Sequence, residues 1–391
     1  MQTNFDEIID RRGTSCLKYD FAVERGYSAD ILPFWVADMD FRVPACVSEA
    51  LQKRVAHGIF GYTQVKPDYA ETLAAWFARR HDFHITREQL VITPGVVFAI
   101  ATAIRAFTQK GDPIVIQPPV YYPFGGMIRQ NARKVVNAPL HYEHGHYTMD
   151  FDALEKSFAE TGAKLFIFCS PHNPAGRVWT RGELEQLATI CERHQVLVVA
   201  DEIHEEFVRQ GHKHVPFANI SDYTKMHTIT CTAPSKTFNL AGLQLSNLFI
   251  FNEDLRKKYK AELSATGYDE PNTLGLTASQ AAYAKGEPWL KELLVYLENN
   301  YQKTLTFLQS EMPKVHAVEL EGTYLLWLDF LAYGLTPKEI DRCIIEDANL
   351  WLDSGIIFGK EGAQFQRINL ACPWATLEKG LQNLARAFRG K

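Results

Sequence analysis

No run of apolar residues in this sequence is long enough to cross a bilayer. Its opening, MQTNFDEIIDRRG, has no apolar core of the kind a secretory signal needs, so the chain is expected to be soluble and cytoplasmic. Basic charge is also in short supply: 41 Lys and Arg stand against 46 Asp and Glu, a formal net charge of -5. With no cationic excess to neutralise a phosphate backbone or an anionic lipid surface, neither nucleic acid nor a membrane is expected as a partner. The seven cysteines are odd in number and none falls in a C-x-x-C pair, which argues against a disulfide framework or a cysteine-bound zinc. Cys169 in KLFIFCS and Cys231 in HTITCT lie inside apolar runs and read as small hydrophobes in a reducing compartment. Internal repeats, low-complexity tracts and flexible linkers are absent too.

What the 391 residues do contain is apolar material, 46% of the total against 22% charged, enough for two cores. From about residue 89, short runs rich in β-branched and aromatic residues alternate with amphipathic stretches. The runs QLVITP, PIVIQP, KLFIFCS, VLVVAD, HTITCT and SNLFIF read as buried strands. Helices are predicted over 96–109, 151–160 and 180–194, the last opened by Thr180 with Glu183 three residues on, a capping box. Such alternation predicts an α/β fold of three layers, a mostly parallel sheet with helices on both faces, over residues 46–284. Beyond 285 the pattern becomes a long helix, strands VHAVEL and TYLLWLDF, a helix near 336–347 and a strand at QRINLAC. Residues 1–45 show no regular period and are expected to join 285–391 in a smaller, discontinuous α+β domain.

In open parallel sheets, ligands bind beyond the carboxyl ends of the strands. Five such places carry suggestive chemistry: Thr93 to Val97, Tyr121 and Tyr122, Asn173 in SPHNPAG, Asp201 in VVADEIH, and Lys236 in TAPSKTFNLAG. Lys236 follows its strand after a short turn, so its amine is expected in a partly buried pocket, where its pKa falls. A neutral amine condenses with an aldehyde and afterwards carries a proton, the two duties of the lysine in a pyridoxal 5′-phosphate enzyme. Asp201 ends a hydrocarbon strand, where a carboxylate is costly unless a cation or donor meets it; a protonated pyridine nitrogen would. Asn173 could donate to the ring's phenolate oxygen and His204 could hydrogen-bond near it. Gly95 opens a helix, so the amides of Val96 and Val97 could hold a phosphate, with hydroxyls from Thr232 and Ser235. Tyr121 could stack on the ring, and the planar fork of Arg367 matches an amino acid carboxylate. Singly, each has an ordinary structural reading as a turn, cap, packing or salt-bridged residue; together they point to one cofactor.

Together these residues resemble the fold type I pyridoxal phosphate enzymes, the aspartate aminotransferase-like superfamily, over nearly the whole chain. FWVADMDF (34–41), the GVV turn (95–97), SPHNPAGRVW, DEIH and SKTFNLAGLQ are closer still to the MalY/PatB-type cystathionine β-lyases, the C-S lyase branch of the class I/II aminotransferases. The resemblance implies Lys236 as the imine lysine, Asp201 as the pyridinium partner, Asn173 on the ring oxygen, Tyr121 as the stacking ring and Arg367 as the carboxylate clamp. It also implies that Tyr62, in FGYTQ, reaches the phosphate of a neighbouring subunit, hence a homodimer with shared sites. Many aminotransferases carry an arginine where this chain has Gln244 and a tyrosine where it has His204; both departures lean toward elimination.

The expected activity is therefore cleavage of a cysteine S-conjugate such as cystathionine to pyruvate, ammonia and a thiol, with Asp38, Tyr62 and Tyr324 shaping the substrate pocket. Transamination is the alternative within the family, and a regulatory protein that retains the fold is the alternative outside enzymes. The histidine-rich segments HYEHGHY (141–147) and GHKH (211–214) have no recognised ligand spacing and are expected to be solvated loops, so no metal is expected.

Overall fold

The computed structural model describes residues 3–391. Seven strands form the central sheet in the spatial order Leu90–Thr93, Ser246–Ile250, Thr228–Thr232, Leu197–Asp201, Leu165–Cys169, Pro113–Ile116 and Lys134–Asn137. Only Ser246–Ile250 runs against the others, pairing antiparallel with both neighbours; the remaining ladders between adjacent strands are parallel. All six strands expected from the apolar runs are present. The seventh, Lys134–Asn137, lies at the edge and is half exposed, which is why no continuous apolar run announces it.

Side chains alternate across this sheet as the pleat requires. Phe166, Phe168, Val198 and Ala200 enter one core with the helix Arg181–His194, while Leu165, Ile167, Leu197 and Val199 enter another on the opposite face with the helix Val96–Phe107. Both faces are dry, so these strands are apolar throughout; each fully buried Leu, Ile, Val or Phe contributes about 2 kcal/mol of transfer free energy. Thr180 and Glu183 form the expected capping box at the head of Arg181–His194. The helix predicted over 96–109 stops at Phe107, because Thr108 turns extended.

A second sheet, all antiparallel, has the order His316–Ala317, Leu325–Asp329, Phe365–Asn369 and Asp353–Ser354. Its Leu326, Leu328 and Ile368 pack with Leu377, Leu381 and Leu384 of the last helix, Trp374–Phe388. Here one sequence expectation was too long: VHAVEL shrinks to the two-residue strand His316–Ala317. The helix expected near 336–347 is present, α-helical over Pro337–Arg342 and continuing as a π-helical turn over Cys343–Asp347. The N-terminal segment spans the two parts. Leu32–Pro33 runs parallel to Leu350–Trp351, and Asn369 donates its amide to the Phe34 carbonyl at 3.0 Å, whereas Phe5, Met39 and Phe41 pack with Phe238 and Phe249 of the larger part.

Register then places the chemistry. Asp201 is paired with both Cys169 and Cys231, and Ser246 with Thr93. The carboxyl ends of four strands and the start of the antiparallel one thus share one edge. Whatever follows Thr93, Cys169, Asp201 and Thr232 emerges there, facing the Trp35–Ala37 stretch and the second sheet.

Candidate active site

A cleft of about 270 Å³ opens at that edge, with Lys236, Asp201, Asn173, His204, Ser235 and Arg367 on its walls. Lys236 sits in a single helical turn, Pro234–Thr237, that begins where the strand Thr228–Thr232 ends. Its Nζ donates to the Ala37 carbonyl at 2.7 Å. Burial lowers the amine's pKa to about 8; the charge of Asp38 opposes that shift, Arg367 adds to it and Asp201 opposes it. Asp201 is buried at the strand end, where its Oδ1 accepts only the Ile203 amide at 3.2 Å. Burial pushes its carboxyl up to about 7, and among the described residues no ion pair relieves it.

Arg367 is buried in the middle of the strand Phe365–Asn369. Its guanidinium donates to Asn173 Oδ1 at 2.9 Å, to the Trp35 carbonyl at 2.8 Å and to the Asp353 carboxylate, while Nε has no partner. Since Asn173 spends its oxygen on Arg367, its amide nitrogen is left to donate into the cleft. The turn that carries Asn173 closes through Gly176 at φ +70°, where a Cβ would stand 2.9 Å from Leu320 Cδ1; only glycine fits. His204 is buried with Nδ1 unpartnered, and burial together with the nearby Lys236 and Arg367 cations holds it well below the usual imidazole range. It is therefore neutral at pH 7. Tyr121 and Tyr122 form the wall above, their rings 5.6 Å apart.

The anion corner is the start of the helix Val96–Phe107. Gly95 is its N-cap with no side chain capping it, and Val96 and Val97 line the cleft beside Ser235 and Gln244. First-turn amides left uncapped at a 12-residue helix form an anion site. Thr232 does not contribute, because its hydroxyl donates to the Asn247 carbonyl at 3.0 Å inside the sheet. Asp38 also lies outside the cleft wall. It is paired with Arg11 at 2.7 Å and Lys18 at 3.7 Å, and acts on Lys236 only through its charge. Tyr324 is buried, donating to the Ala37 carbonyl at 3.0 Å and meeting the His204 ring edge-on at 5.8 Å. Tyr62 is 97% exposed, in a neighbouring groove with Pro94 and Gln244, and does not enter this chain's own cleft.

The donor set fits pyridoxal 5′-phosphate: an amine of depressed pKa, a buried carboxylate with no cation, and uncapped helix amides, with an unpartnered imidazole nitrogen beside them. Sequence reasoning missed Asp353 and the backbone carbonyls of Trp35 and Ala37. Asp353 belongs to a two-residue strand with no periodic signal, and it gains meaning only when that strand pairs with Phe365–Asn369, opposite Arg367.

The amine state predicts a pH dependence. Below about 8 Lys236 is mostly protonated and cannot condense, so in apo-protein the rate of imine formation with added pyridoxal phosphate should rise about tenfold per unit of pH and level above about 8. Borohydride-trapped adduct measured against pH checks this. A lysine of ordinary pKa would keep climbing toward about 10, and such a profile would contradict the burial described above.

The family described as aminotransferase class I and II matches residues 29–384. Cystathionine beta-lyase PatB of Bacillus subtilis (strain 168) is 43% identical over 385 residues, covering 98% of this chain and 100% of its own length. Protein MalY of Escherichia coli (strain K12) is 35% identical over 390 residues, with 99% of each chain covered. Among solved structures, cystalysin from Treponema denticola, which contains a pyridoxal 5′-phosphate cofactor, superposes with a TM-score of 0.96 at 36% identity, covering 100% of this chain and 99% of its own.

Proposed function

The chain belongs to the class I and II aminotransferase family, and on that premise we propose that it is a pyridoxal phosphate-dependent C-S β-lyase of the cystathionine β-lyase type. It cleaves cysteine S-conjugates to pyruvate, ammonia and a thiol. Cystathionine beta-lyase PatB, matched along its full length, carries that activity in its name, and so does a C-S lyase of Staphylococcus hominis. One observation carries the reading at the level of chemistry: a depressed-pKa amine, a buried strand-end carboxylate and a guanidinium with an unpartnered Nε converge on one cleft.

Arg367 would take the substrate carboxylate, and the Trp35 and Asn173 oxygens that hold its fork fix the orientation of Cα. Asp201 would keep a proton on the cofactor's ring nitrogen, because a cation there relieves the cost of its own burial. Pyridoxal 5′-phosphate, once bound, supplies an electron sink for the pair left at Cα. Lys236 Nζ, about half neutral at its pKa of about 8, would receive the Cα proton in its neutral form; a base tuned close to working pH is the efficient one. Asn173 Nδ2 and His204 would hold the ring oxygen, and the amides of Val96 and Val97 with Ser235 the phosphate. The aromatic wall of Tyr121, Tyr122 and Trp35 limits water around the reacting carbon. Tyr62, almost wholly exposed beside Gln244, is placed to complete the phosphate site of a second copy, so we infer a homodimer with shared sites. No helix of the described residues is long and apolar enough to cross a membrane, which is compatible with a cytoplasmic enzyme.

The test is product analysis on a panel of cysteine thioethers with no keto-acid acceptor present. Stoichiometric pyruvate, ammonia and thiol are expected. Amino transfer to an added keto acid without thiol release would overturn the lyase assignment in favour of transamination.

A further inference from the structure

Behind the strand that ends in Asp201, away from the cleft, the segment 202–206 turns three glutamates into the protein. Glu202, Glu205 and Glu206 are 0%, 3% and 2% exposed, and His81 and His214 beside them are 6% and 3% exposed. Glu206 accepts from Trp76 Nε1 at 2.6 Å, faces His81 Nε2 at 2.9 Å, and takes Arg80 Nε at 2.5 Å on its other oxygen. Glu202 faces His214 Nε2 at 3.0 Å and accepts the Phe217 amide at 2.9 Å. Glu205 stands between the two pairs. Ligand atoms of His81, Glu205 and Glu206 lie within 4.8 Å of one another, and so do those of Glu202, Glu205 and His214. Yet Glu205 Oε2 is buried with no hydrogen-bond partner, and His214 Nδ1 is unpartnered too.

A bare carboxylate oxygen in a site closed to water is costly, and here two further carboxylates surround it with Arg80 as the one permanent cation. Burial, with the Glu206 and Glu202 charges beside it, pushes the Glu205 carboxyl well above its usual range, so without a cation this group sheds its charge by holding a proton. That proton still leaves Glu205 Oε2 buried with no hydrogen-bond partner; a divalent cation would displace the proton and give the oxygen a ligand bond. Imidazole and carboxylate are the donors that zinc-class ions take, at about 2.0–2.2 Å. The 2.9 and 3.0 Å spacings within the His–Glu pairs are hydrogen-bond distances and would open to about 3.3 Å between neighbouring tetrahedral ligands. Arg80 and Trp76 already orient Glu206 from behind, as supporting residues of metal sites do.

We propose that this buried pocket binds one first-row divalent cation of the zinc class through His81, Glu205 and Glu206, with the Glu202–His214 pair beside it. It is separate from the cleft, and its role is structural: it ties the end of the helix Pro67–His81 to the segment that follows Asp201. The holoenzyme, incubated with zinc chloride and desalted, is assayed by plasma mass spectrometry beside Glu205→Gln and, as a control for the exposed His146–Glu319–Glu321 group, His146→Ala. About one zinc per chain is expected in the wild type and H146A, falling at least about tenfold in E205Q. EDTA should lower the melting temperature of the wild type but leave E205Q unmoved. The proposal is overturned if the wild type holds less than about a tenth of an equivalent, if E205Q retains the metal, or if EDTA shifts both alike. Wild-type metal content decides the matter even if E205Q fails to fold.

Discussion

Replacing Lys236 by alanine is expected to lower kcat/KM for a cysteine thioether by about 10⁴-fold or more, with no fall in melting temperature. The two halves of this result have different causes. Activity collapses because one nitrogen both anchors the cofactor and moves the Cα proton, so its removal deletes two functions from the cleft at once. Folding is untouched because the amine's hydrogen bond, to the Ala37 carbonyl, is made by a group whose charged form burial already penalises. A small amine such as methylamine should restore part of the turnover, by supplying a base of similar chemistry without the tether. If K236A keeps more than about a hundredth of wild-type activity, the proton passes through another residue and the proposed assignment fails.

Arg367→Leu should act on both substrate binding and stability. Loss of the planar fork removes the carboxylate partner, so KM is expected to rise about 10²-fold. Stability should fall by about 3–5 kcal/mol, because Asp353 is 5% exposed and has Arg367 as its cation. The pH dependence has a definite sign. Burial already raises the Asp353 carboxyl, and without the guanidinium it rises further, so the deficit is largest where the carboxyl must ionise and shrinks as pH falls and protonation relieves it. The double variant Arg367→Leu with Asp353→Asn separates the roles: it should recover most of the stability and none of the KM. Denaturant unfolding and steady-state kinetics on the four proteins of this cycle read both effects. Recovery of KM in the double variant would mean that the carboxylate is held elsewhere.

The six central strands were readable because both faces of the sheet are dry, which makes them unbroken apolar runs. Edge strand Lys134–Asn137 was not, since its side chains are half to fully exposed and only Val135 and Val136 in it are apolar. Lys236, Asp201 and Asn173 were readable because each lies at, or within four residues of, the carboxyl end of such a run, and in a parallel sheet that edge faces the cleft. Thr232 obeyed the same rule and still turned inward, its hydroxyl taken by the Asn247 carbonyl on the antiparallel strand beside it. Whether a strand-end hydroxyl faces a ligand or a neighbour depends on which way the adjacent strand runs, and no local pattern encodes that.

What the amino-acid sequence determined by itself is the set of chemical groups and the strand ends that carry them, since strand periodicity and turn position are local properties. The tertiary structure alone decided who holds whom. Ala37 meets Lys236 across 199 residues of chain, and Asp353 meets Arg367 through a strand two residues long. Those pairings follow from the register of sheets and from burial, which set both the orientation of the guanidinium and the depressed pKa of the amine, and neither quantity exists until the chain has closed around them.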